Sequence, residues 1–422
     1  MTRGSDRPSR LARLAATSLF LGVISAGWAA AAPMLTLHAF TGADGAAPTT
    51  GLLFDTSGDL YGATTTGGAG RLGTVFTLTP PPTGGGSWTQ TTLYAFTGGA
   101  DGAWPTGSLV FDTSGGLYGT TQARGPANSG AIFKLTPPMN AGGRWSETTL
   151  YTFAGGNDGA APAAGLVFDT LGDIYGTTTT GGAYDAGTVF ELTPPATTGG
   201  NWTKAVLFNF RNSENGGRPG SNLIFDTTGA LYGATQAGGA ANAGTVFKLA
   251  PPTRAGGSWT HSTLYGFTGA RDGAGPTGNL VFDTTGALYG ATQAGGAANF
   301  GAVFRLAPPA TPGGAWTQTV LHGFTGGRDG AGPIGALMFD TTGTLYGVTQ
   351  AGGAFNFGAV FRLAPPATPG TAWTETVLYS FTGGGDGAGP RTGLTVDGSG
   401  AVFGTTAGRV PTNAGTVFEL MP

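Results

Sequence analysis

The chain has 422 residues, a formal net charge of −3, no cysteine, and charged side chains at only 10% of its positions. It lacks the basic faces that nucleic-acid phosphates require, and without disulfides it must be stabilised by packing and hydrogen bonds. Its 82 glycines and 27 prolines would be typical of a low-complexity chain, but they recur at turn positions between apolar runs, which predicts ordered structure.

The N-terminus has the layout of a secretory signal peptide. Four arginines lie within the first 13 residues, an apolar stretch covers residues 14–26, and small residues lead to Pro33. The apolar part is too short for a membrane span. We expect residues 1–31 to be removed, with cleavage after Ala31 or the neighbouring Ala30; a leader that stays attached is the alternative. The exported chain would keep 15 basic and 21 acidic residues, about −6, in the periplasm or outside the cell, with no membrane span.

One stretch organises the rest of the chain and occurs seven times. Its anchor is an aspartate, preceded by phenylalanine in six copies, that recurs every 57 residues: Asp55, Asp112, Asp169, Asp226, Asp283, Asp340 and Asp397. A fixed period of this length predicts a repeat architecture, because one unit cannot bury its apolar faces alone.

Each unit predicts four strands. Residues 51–55 form a short strand a, apolar on both faces and therefore expected to be buried, and the following D-T-S-G predicts a tight hairpin capped by the aspartate. Residues 60–64, with a repeated tyrosine, form strand b. Residues 73–78, with a repeated phenylalanine, form strand c after a Gly-rich loop. Residues 88–96 form strand d, whose half-polar, Thr-rich pattern fits a sheet edge near water.

Four antiparallel strands in each of seven units predict an all-β, seven-bladed β-propeller forming a single domain over residues 32–422. Strand a is expected innermost and strand d outermost. Residues 35–40 match the end of a strand d, whereas the final segment, residues 415–420, is a strand c. The N-terminal strand is therefore expected to pair with the last blade and close the ring. A Gly-rich β-solenoid is the alternative, but no shorter period is present.

The motif G-x-L-x-F-D-x-x-G-x-L-Y-G-x-T-x-x-G-G, followed by G-T-V-F, resembles the Gloeo-Verruco tandem repeat, a family of exported bacterial proteins. The resemblance covers essentially residues 35–422. It implies export and a propeller-like repeat domain, and it brings no catalytic residues. Family members often continue into a C-terminal sorting or anchoring tail, whereas this sequence stops directly after its last predicted strand, which favours release or periplasmic residence.

The repeated aspartates are interpreted as turn caps. Only Asp59 and Asp173 add a second carboxylate to the hairpins, fewer oxygens than a calcium site needs. The three histidines have no nucleophile motif near them, and the Gly-rich loops lack the G-K-[ST] of a phosphate-binding loop. We therefore expect no metal, no cofactor and no catalytic residue.

Residues that break the repeat are the candidates for a site. Outside the repeated aspartates eight carboxylates remain: Asp59, Glu147, Asp173, Asp185, Glu191, Glu214, Glu375 and Glu419. The four strand residues Glu147, Glu191, Glu375 and Glu419 are interpreted as solvated, and Asp59 and Asp173 follow the hairpin glycine. Asp185 and Glu214 remain. Both fall in the b–c loops and d–a links, which meet at one rim, called the loop rim below. Tyr184, Arg211 and Arg218 flank them, a set that suits a sugar or another polar ligand. A drifted, solvated loop is the alternative.

A second candidate group on the loop rim is aromatic. Trp104, Phe300, Phe355 and Phe357 stand where other copies have small residues. Such side chains either bind a partner or tuck under their own loop.

Together these features favour a secreted, monomeric, non-enzymatic binding or surface-interaction propeller for a polysaccharide or a surface protein. A carbohydrate-active hydrolase or lyase is one alternative; it would use the Asp185 and Glu214 region or the central mouth, with two carboxylates about 5 to 10 Å apart. A purely structural envelope component is the other, and it predicts no concave site beyond the axial channel.

Overall fold

The computed structural model describes residues 33–82, 86–140, 142–197, 199–254, 256–311, 313–368, 370–408 and 414–421. The predicted signal peptide, residues 1–31, lies outside the described residues. Within them the chain is all-β, apart from a 3-10 turn at Gly156–Asp158. No helix in these ranges has the length and apolarity needed to cross a membrane.

The strands form seven antiparallel sheets, which are the blades of a β-propeller. Blade one contains β2 (Ala46–Pro48), β3 (Leu53–Phe54), β4 (Leu60–Thr66), β5 (Thr74–Thr79) and β6 (Thr89–Ala95). Blade two contains β7 (Ala103–Pro105), β8 (Val110–Phe111), β9 (Leu117–Ala123), β10 (Ala131–Thr136) and β11 (Ser146–Thr152). Blade three contains β12 (Val167–Phe168), β13 (Ile174–Thr178), β14 (Thr188–Thr193) and β15 (Thr203–Asn209).

The remaining blades repeat this order of strands. Blade four contains β16 (Gly217–Pro219), β17 (Ile224–Phe225), β18 (Leu231–Ala237), β19 (Thr245–Ala250) and β20 (Thr260–Gly266). Blade five contains β21 (Ala274–Pro276), β22 (Val281–Phe282), β23 (Leu288–Ala294), β24 (Ala302–Ala307) and β25 (Thr317–Gly323). Blade six contains β26 (Ala331–Phe339), β27 (Leu345–Ala351), β28 (Ala359–Ala364) and β29 (Thr374–Ser380). Blade seven contains β30 (Thr395–Val396), β31 (Val402–Thr406), β32 (Thr416–Leu420) and β1 (Met34–Ala39).

The N-terminal strand closes the ring, as the sequence predicted. β1 pairs antiparallel with β32, with Met34 opposite Leu420 and Ala39 opposite Thr416. It takes the outer place that strand d holds in the other blades. The seven-bladed propeller and its closure by this strand are therefore confirmed.

Contacts between equivalent residues show that strand a is innermost. The N–H of Gly165 donates to Asn222 Oδ1 at 2.6 Å, and the N–H of Asn222 donates to Asn279 Oδ1 at 2.8 Å. Gly51 also lies close to Ser108, since a Cβ at Gly51 would be 3.2 Å from Ser108 Oγ. Residues one repeat apart can meet like this only near the axis of a ring.

The deepest burial lies in strands b and c, and the prediction that strand a is buried on both faces was wrong. Leu53–Phe54 is half-buried, whereas most of β4 and β5 is fully buried. Strand a is an inner edge strand, hydrogen-bonded on one side only. Strands b and c each have a strand on both sides, and the repeated glycine of strand b lets them pack closely: a Cβ at Gly233 would lie 2.7 Å from the ring of Phe247.

Neighbouring blades are joined by a backbone hydrogen bond just before each strand a. One residue per blade has a positive φ of 52–62° and donates its N–H, at 2.7–2.9 Å, to a carbonyl in the b–c loop of the preceding blade. These seven residues, the mouth ring, are Ala47, Trp104, Ala161, Arg218, Gly275, Gly332 and Gly389. The bond from Ala47 to Ala414 joins blade one to blade seven. The mouth ring therefore surrounds the axis at the loop rim.

Candidate ligand-binding rim

The hairpin rim, opposite the loop rim, is occupied by structural carboxylates. Asp226 shows the pattern: its Oδ1 accepts the N–H groups of Thr228 and Ala230, and its Oδ2 accepts the Tyr232 hydroxyl at 3.0 Å. Lys248 Nζ lies 3.3 Å from Oδ2. Burial alone would raise the pKa of Asp226, but these hydrogen bonds outweigh it and lower the pKa to about 2. The hairpin aspartates therefore cap turns, as the sequence predicted.

The aspartates of the d–a links are likewise used by the fold. In four copies a strand-d tyrosine donates to the aspartate seven residues later, as Tyr94 does to Asp101 at 3.0 Å. The backbone N–H of Thr97 donates to the same carboxylate. In blades five and seven a histidine replaces the tyrosine beside the aspartate; His38 Nε2, for example, lies 2.8 Å from Asp44. Blade three alone has neither residue of the pair, because Phe208 and Asn215 occupy the two positions.

The loop rim is indented where this pair is missing. An open depression of about 420 Å³ is lined by Ala183, Tyr184, Leu207, Phe208, Asn209, Arg211, Glu214 and Asn215. Asn215 turns its Oδ1 to the N–H of Arg211 at 2.8 Å, and the Phe208 ring stacks on His261 with centroids 4.2 Å apart. Neither Phe208 nor Asn215 was predicted as a site residue, although a position-by-position comparison of the seven copies shows that both positions of the pair are replaced in this blade.

The structure brings Tyr184, Arg211 and Glu214 together at this depression. The Arg211 guanidinium lies 4.5 Å from the centroid of the Tyr184 ring, and its Nη1 lies 3.3 Å from Glu214 Oε2. The Arg211 and Glu214 side chains are 46% and 63% exposed. Asn209 holds the loop by accepting the N–H of Ala183 at 2.9 Å. An exposed aromatic ring, a guanidinium and a carboxylate are thus presented side by side.

Asp185 and Arg218 lie outside the lining of the depression. Asp185 has a left-handed backbone with φ of 51°, and its Oδ1 accepts the N–H of Gly181 at 2.9 Å. Asn242 does the same to Gly238 one blade later. Asp185 therefore occupies a repeated turn-capping position, and Arg218 belongs to the mouth ring.

All aromatic side chains that are strongly exposed among the described residues lie on the loop rim. They are Trp104 (37%), Tyr184 (49%), Phe300 (44%) and Phe355 (56%). Phe357, by contrast, is half-buried against the core between blades six and seven, and its ring covers Gly383. Phe300 covers Gly326 in a similar way while staying exposed. The two rims therefore differ in their exposed aromatic surface.

Near its start, strand d approaches the link of the preceding blade, and in three of these outer junctions the residue there is charged: Glu147, Lys204 and Glu375. Lys204 Nζ donates to the carbonyl oxygen of Asp158 at 2.6 Å and to its Oδ1 at 2.8 Å. At the equivalent place in blade six, Glu375 lies near Asp329, and its Oε1 is buried without a hydrogen-bond partner among the described residues. The interpretation of Glu375 as a solvated residue was therefore wrong.

The sequence comparison decides the family. Residues 21–167, 139–326 and 256–422 match the Gloeobacter/Verrucomicrobia repeat. The chain belongs to this family. No curated protein sequence matches it.

Solved structures resemble this member of the repeat family in fold. The extracellular domain described for a hybrid two-component system of B. thetaiotaomicron aligns with a TM-score of 0.55 at 10% identity, over 92% of this chain and 39% of that chain. A Thermus thermophilus protein described as an oxidoreductase (glucose dehydrogenase) aligns with a TM-score of 0.46 at 18% identity, over 75% and 96% of the two chains. PorZ, a surface component of the type-IX secretion system of Porphyromonas gingivalis, aligns with a TM-score of 0.44 at 16% identity, over 83% and 44%.

Proposed function

We propose that this repeat protein is an exported, non-enzymatic binding module that holds a carbohydrate on its loop rim. The observation that carries the proposal is the confinement of strongly exposed aromatic rings to one rim, beside an open depression with polar groups. Export is supported by the sequence of residues 1–31.

The chemistry of the depression suits a sugar. The exposed face of Tyr184 offers an apolar platform for the C–H face of a pyranose, while Arg211, Glu214 and Asn209 offer donors and acceptors for hydroxyl groups. Because the depression is open, a ligand would be bound along the rim rather than enclosed. This geometry favours a segment of a polymer over a small metabolite.

The enzyme alternative has less support at this place. A glycosidase needs two carboxylates facing one scissile bond. Here Glu214 lines the depression, whereas Asp185 lies outside the lining with one carboxylate oxygen bonded to its own turn. A binding role therefore accounts better for the arrangement.

Affinity electrophoresis against a panel of soluble polysaccharides tests the proposal, using the chain without residues 1–31. We expect at least one polysaccharide to retard the wild-type protein. Tyr184→Ala and Arg211→Ala should each weaken that binding about tenfold, as loss of a stacking or charged contact does. Leu171→Ala is the matched control, because Leu171 is 81% exposed on the hairpin rim. Absence of binding to every member of the panel would overturn the proposal.

Export has its own test. We expect the protein purified from outside the cytoplasm to begin after Ala31 or Ala30. Intact-mass measurement of the full-length gene product shows whether the segment is removed, and an uncleaved cytoplasmic chain would contradict export.

A further inference from the structure

The mouth ring contains two side chains that its backbone does not favour. All seven residues have positive φ and make the same blade-to-blade hydrogen bond. Three copies use glycine, the residue best suited to this conformation, and two use alanine. The other two have Trp104, at φ of 62°, and Arg218, at φ of 57°. Bulky side chains at positive φ are rare and strained, and such strain concentrates at functional sites.

Neither side chain has a visible role in holding the ring together. The backbone N–H makes the joint in every copy, whatever the side chain. The Trp104 residue is 37% exposed, and Arg218 is also exposed. Among the described residues Arg218 has no ion pair, and Trp104 has no aromatic or cation–π partner. The scaffold would therefore be served as well by glycine at both positions.

We propose that the mouth of the axis on the loop rim binds a polysaccharide that contains uronic acids, with Trp104 stacked on a sugar ring and Arg218 paired with a carboxylate. This inference rests on the proposed function and names the ligand class. Trp104 and Arg218 belong to blades two and four, so they stand two blades apart around the mouth. A ligand contacting both must span several sugar units.

The choice of basic residue on this rim favours a carboxylated ligand. The planar guanidinium matches a carboxylate with two parallel hydrogen bonds, which lysine cannot do. Basic residues described in the b–c loops and d–a links, or directly after the mouth ring, are all arginines. Besides Arg211 and Arg218 they are Arg71, Arg124, Arg271, Arg328 and Arg391, all exposed.

Most acidic groups on the same rim are already engaged. The link aspartates accept turn N–H groups, as Asp272 does from Thr268 and Asp386 from Thr382. Glu214 is paired with Arg211. The exposed arginines other than Arg211 have no ion pair among the described residues, so they are available to an anionic ligand although the chain as a whole is acidic.

The experiment replaces Trp104 and Arg218 by the residue that other copies use. Trp104→Gly and Arg218→Gly should each lower affinity for polygalacturonate at least tenfold, while the melting temperature stays the same or rises. Ala161→Gly is the matched control, because it changes the same position in blade three and should leave binding unchanged. If either glycine variant lowers the melting temperature, Trp104→Ala and Arg218→Ala repeat the test with the residue found at Ala47 and Ala161.

Three comparisons separate the possible outcomes. Dextran, a neutral polysaccharide, should bind at least tenfold more weakly than polygalacturonate, and polyglutamate, an anion without sugar rings, should also bind weakly. Equal binding of all three, or full affinity in both mouth variants, would overturn the mouth site. If polygalacturonate or dextran binds and only Tyr184→Ala and Arg211→Ala reduce binding, the mouth site fails while the proposed function stands. If the wild type binds no polysaccharide, both fail.

Discussion

Two outer junctions of the ring occupy equivalent places and contain opposite charges. Between blades two and three, Lys204 is nearly inaccessible, with 2% of its side chain exposed, and binds the carbonyl and carboxylate of Asp158. Between blades five and six, the same position holds Glu375 beside Asp329. The backbone that carries them repeats, but the charges do not. The strength of blade-to-blade contact therefore varies around a ring whose strand order is nearly uniform.

The two junctions also affect proton binding in opposite directions. Burial by itself would raise the pKa of Asp158, but the hydrogen bond from Lys204, with those from Ala154 and Tyr151, holds the pKa below its usual value. Burial, followed by the charge of Asp329, raises the pKa of Glu375 to about 7. One junction is thus strengthened by ionisation and the other is weakened by it.

Removing the Lys204 ammonium should have the largest effect. Lys204→Met keeps an unbranched apolar side chain but removes the ammonium, whose Nζ lies 5.4–5.8 Å from the ring centroids of Tyr151, Phe153 and Phe190. The Asp158 carboxylate is then left without its cation. We expect a loss of about 2 to 4 kcal/mol, as for a broken buried ion pair. Urea unfolding at pH 7 measures it.

Gln318→Met is the control for this change. Gln318 occupies the same position in blade five, and its Nε2 donates to the Asp272 carbonyl oxygen at 3.3 Å. Its loss should be about 1 kcal/mol or less. Equal losses in the two variants would show that the charge of Lys204 adds nothing to the junction.

Introducing a lysine at the Glu375 position, as in the junction of Lys204 with Asp158, should stabilise the junction between blades five and six. Glu375→Lys places an ammonium beside Asp329, where Lys204 stands relative to Asp158. We expect a gain of about 1 to 2 kcal/mol at pH 8, because a like-charge pair becomes an opposite-charge pair. At this junction His322 stands where Tyr151 stands at the junction between blades two and three. A fall in the melting temperature would mean that the surroundings of His322 do not accommodate the ammonium.

Neutralising Glu375 should have the smallest and most pH-dependent effect. A carboxyl whose pKa is raised on folding stabilises the fold below its unfolded pKa of about 4.5, and this stability is lost as the pH rises through about 7. Glu375→Gln should therefore match the wild type near pH 4.5 and exceed it by about 1 kcal/mol at pH 8. The gain is modest because the side chain keeps partial solvent access.

The difference in stability between the wild type and Glu375→Gln at each pH separates the effect of Glu375 from that of neighbouring titratable groups. Burial lowers the pKa of His322, so this group acts in the opposite sense and costs stability as the pH falls below about 6.5, but it does so in both proteins. Glu147→Gln, at the equivalent position of blade two, should show a smaller pH dependence, since Glu147 accepts a hydrogen bond from Thr149. A Glu375→Gln gain of the same size at every pH would contradict the assignment.

The repeat made the fold predictable from sequence. The 57-residue spacing of Asp226 and its equivalents predicted the number of blades and their hairpins, because turn chemistry depends on neighbouring residues. Residues 35–40, which match the end of a strand d that no complete N-terminal unit contains, predicted that the N-terminal strand closes the ring. The half-burial of strand a was not predictable, because an apolar run does not show whether its strand lies in the middle of a sheet or at its inner edge.

The site was less predictable because its chemistry depends on contacts between distant residues. The acidic side chain of Asp185 looked irregular by charge, yet the structure places it in the capping position of Asn242. Glu375 looked like a solvated strand residue, since sequence alternation does not reveal a neighbouring blade. Phe208 and Asn215 matter only as a pair. In four other copies the equivalent tyrosine and aspartate are joined by a hydrogen bond, which the sequence does not show.

The pairing of β1 with β32 sets an order of events during folding. Met34 meets Leu420 only when almost the whole chain has been synthesised, and such distant contacts form slowly. Until then β1 and the outer side of β31 present unpaired backbone groups, the kind of edge that invites association between chains. A chain that ends before residue 416 would lack β32, so β1 and β31 would have no strand between them. The ring can therefore close only after the five residues of the last strand have been made.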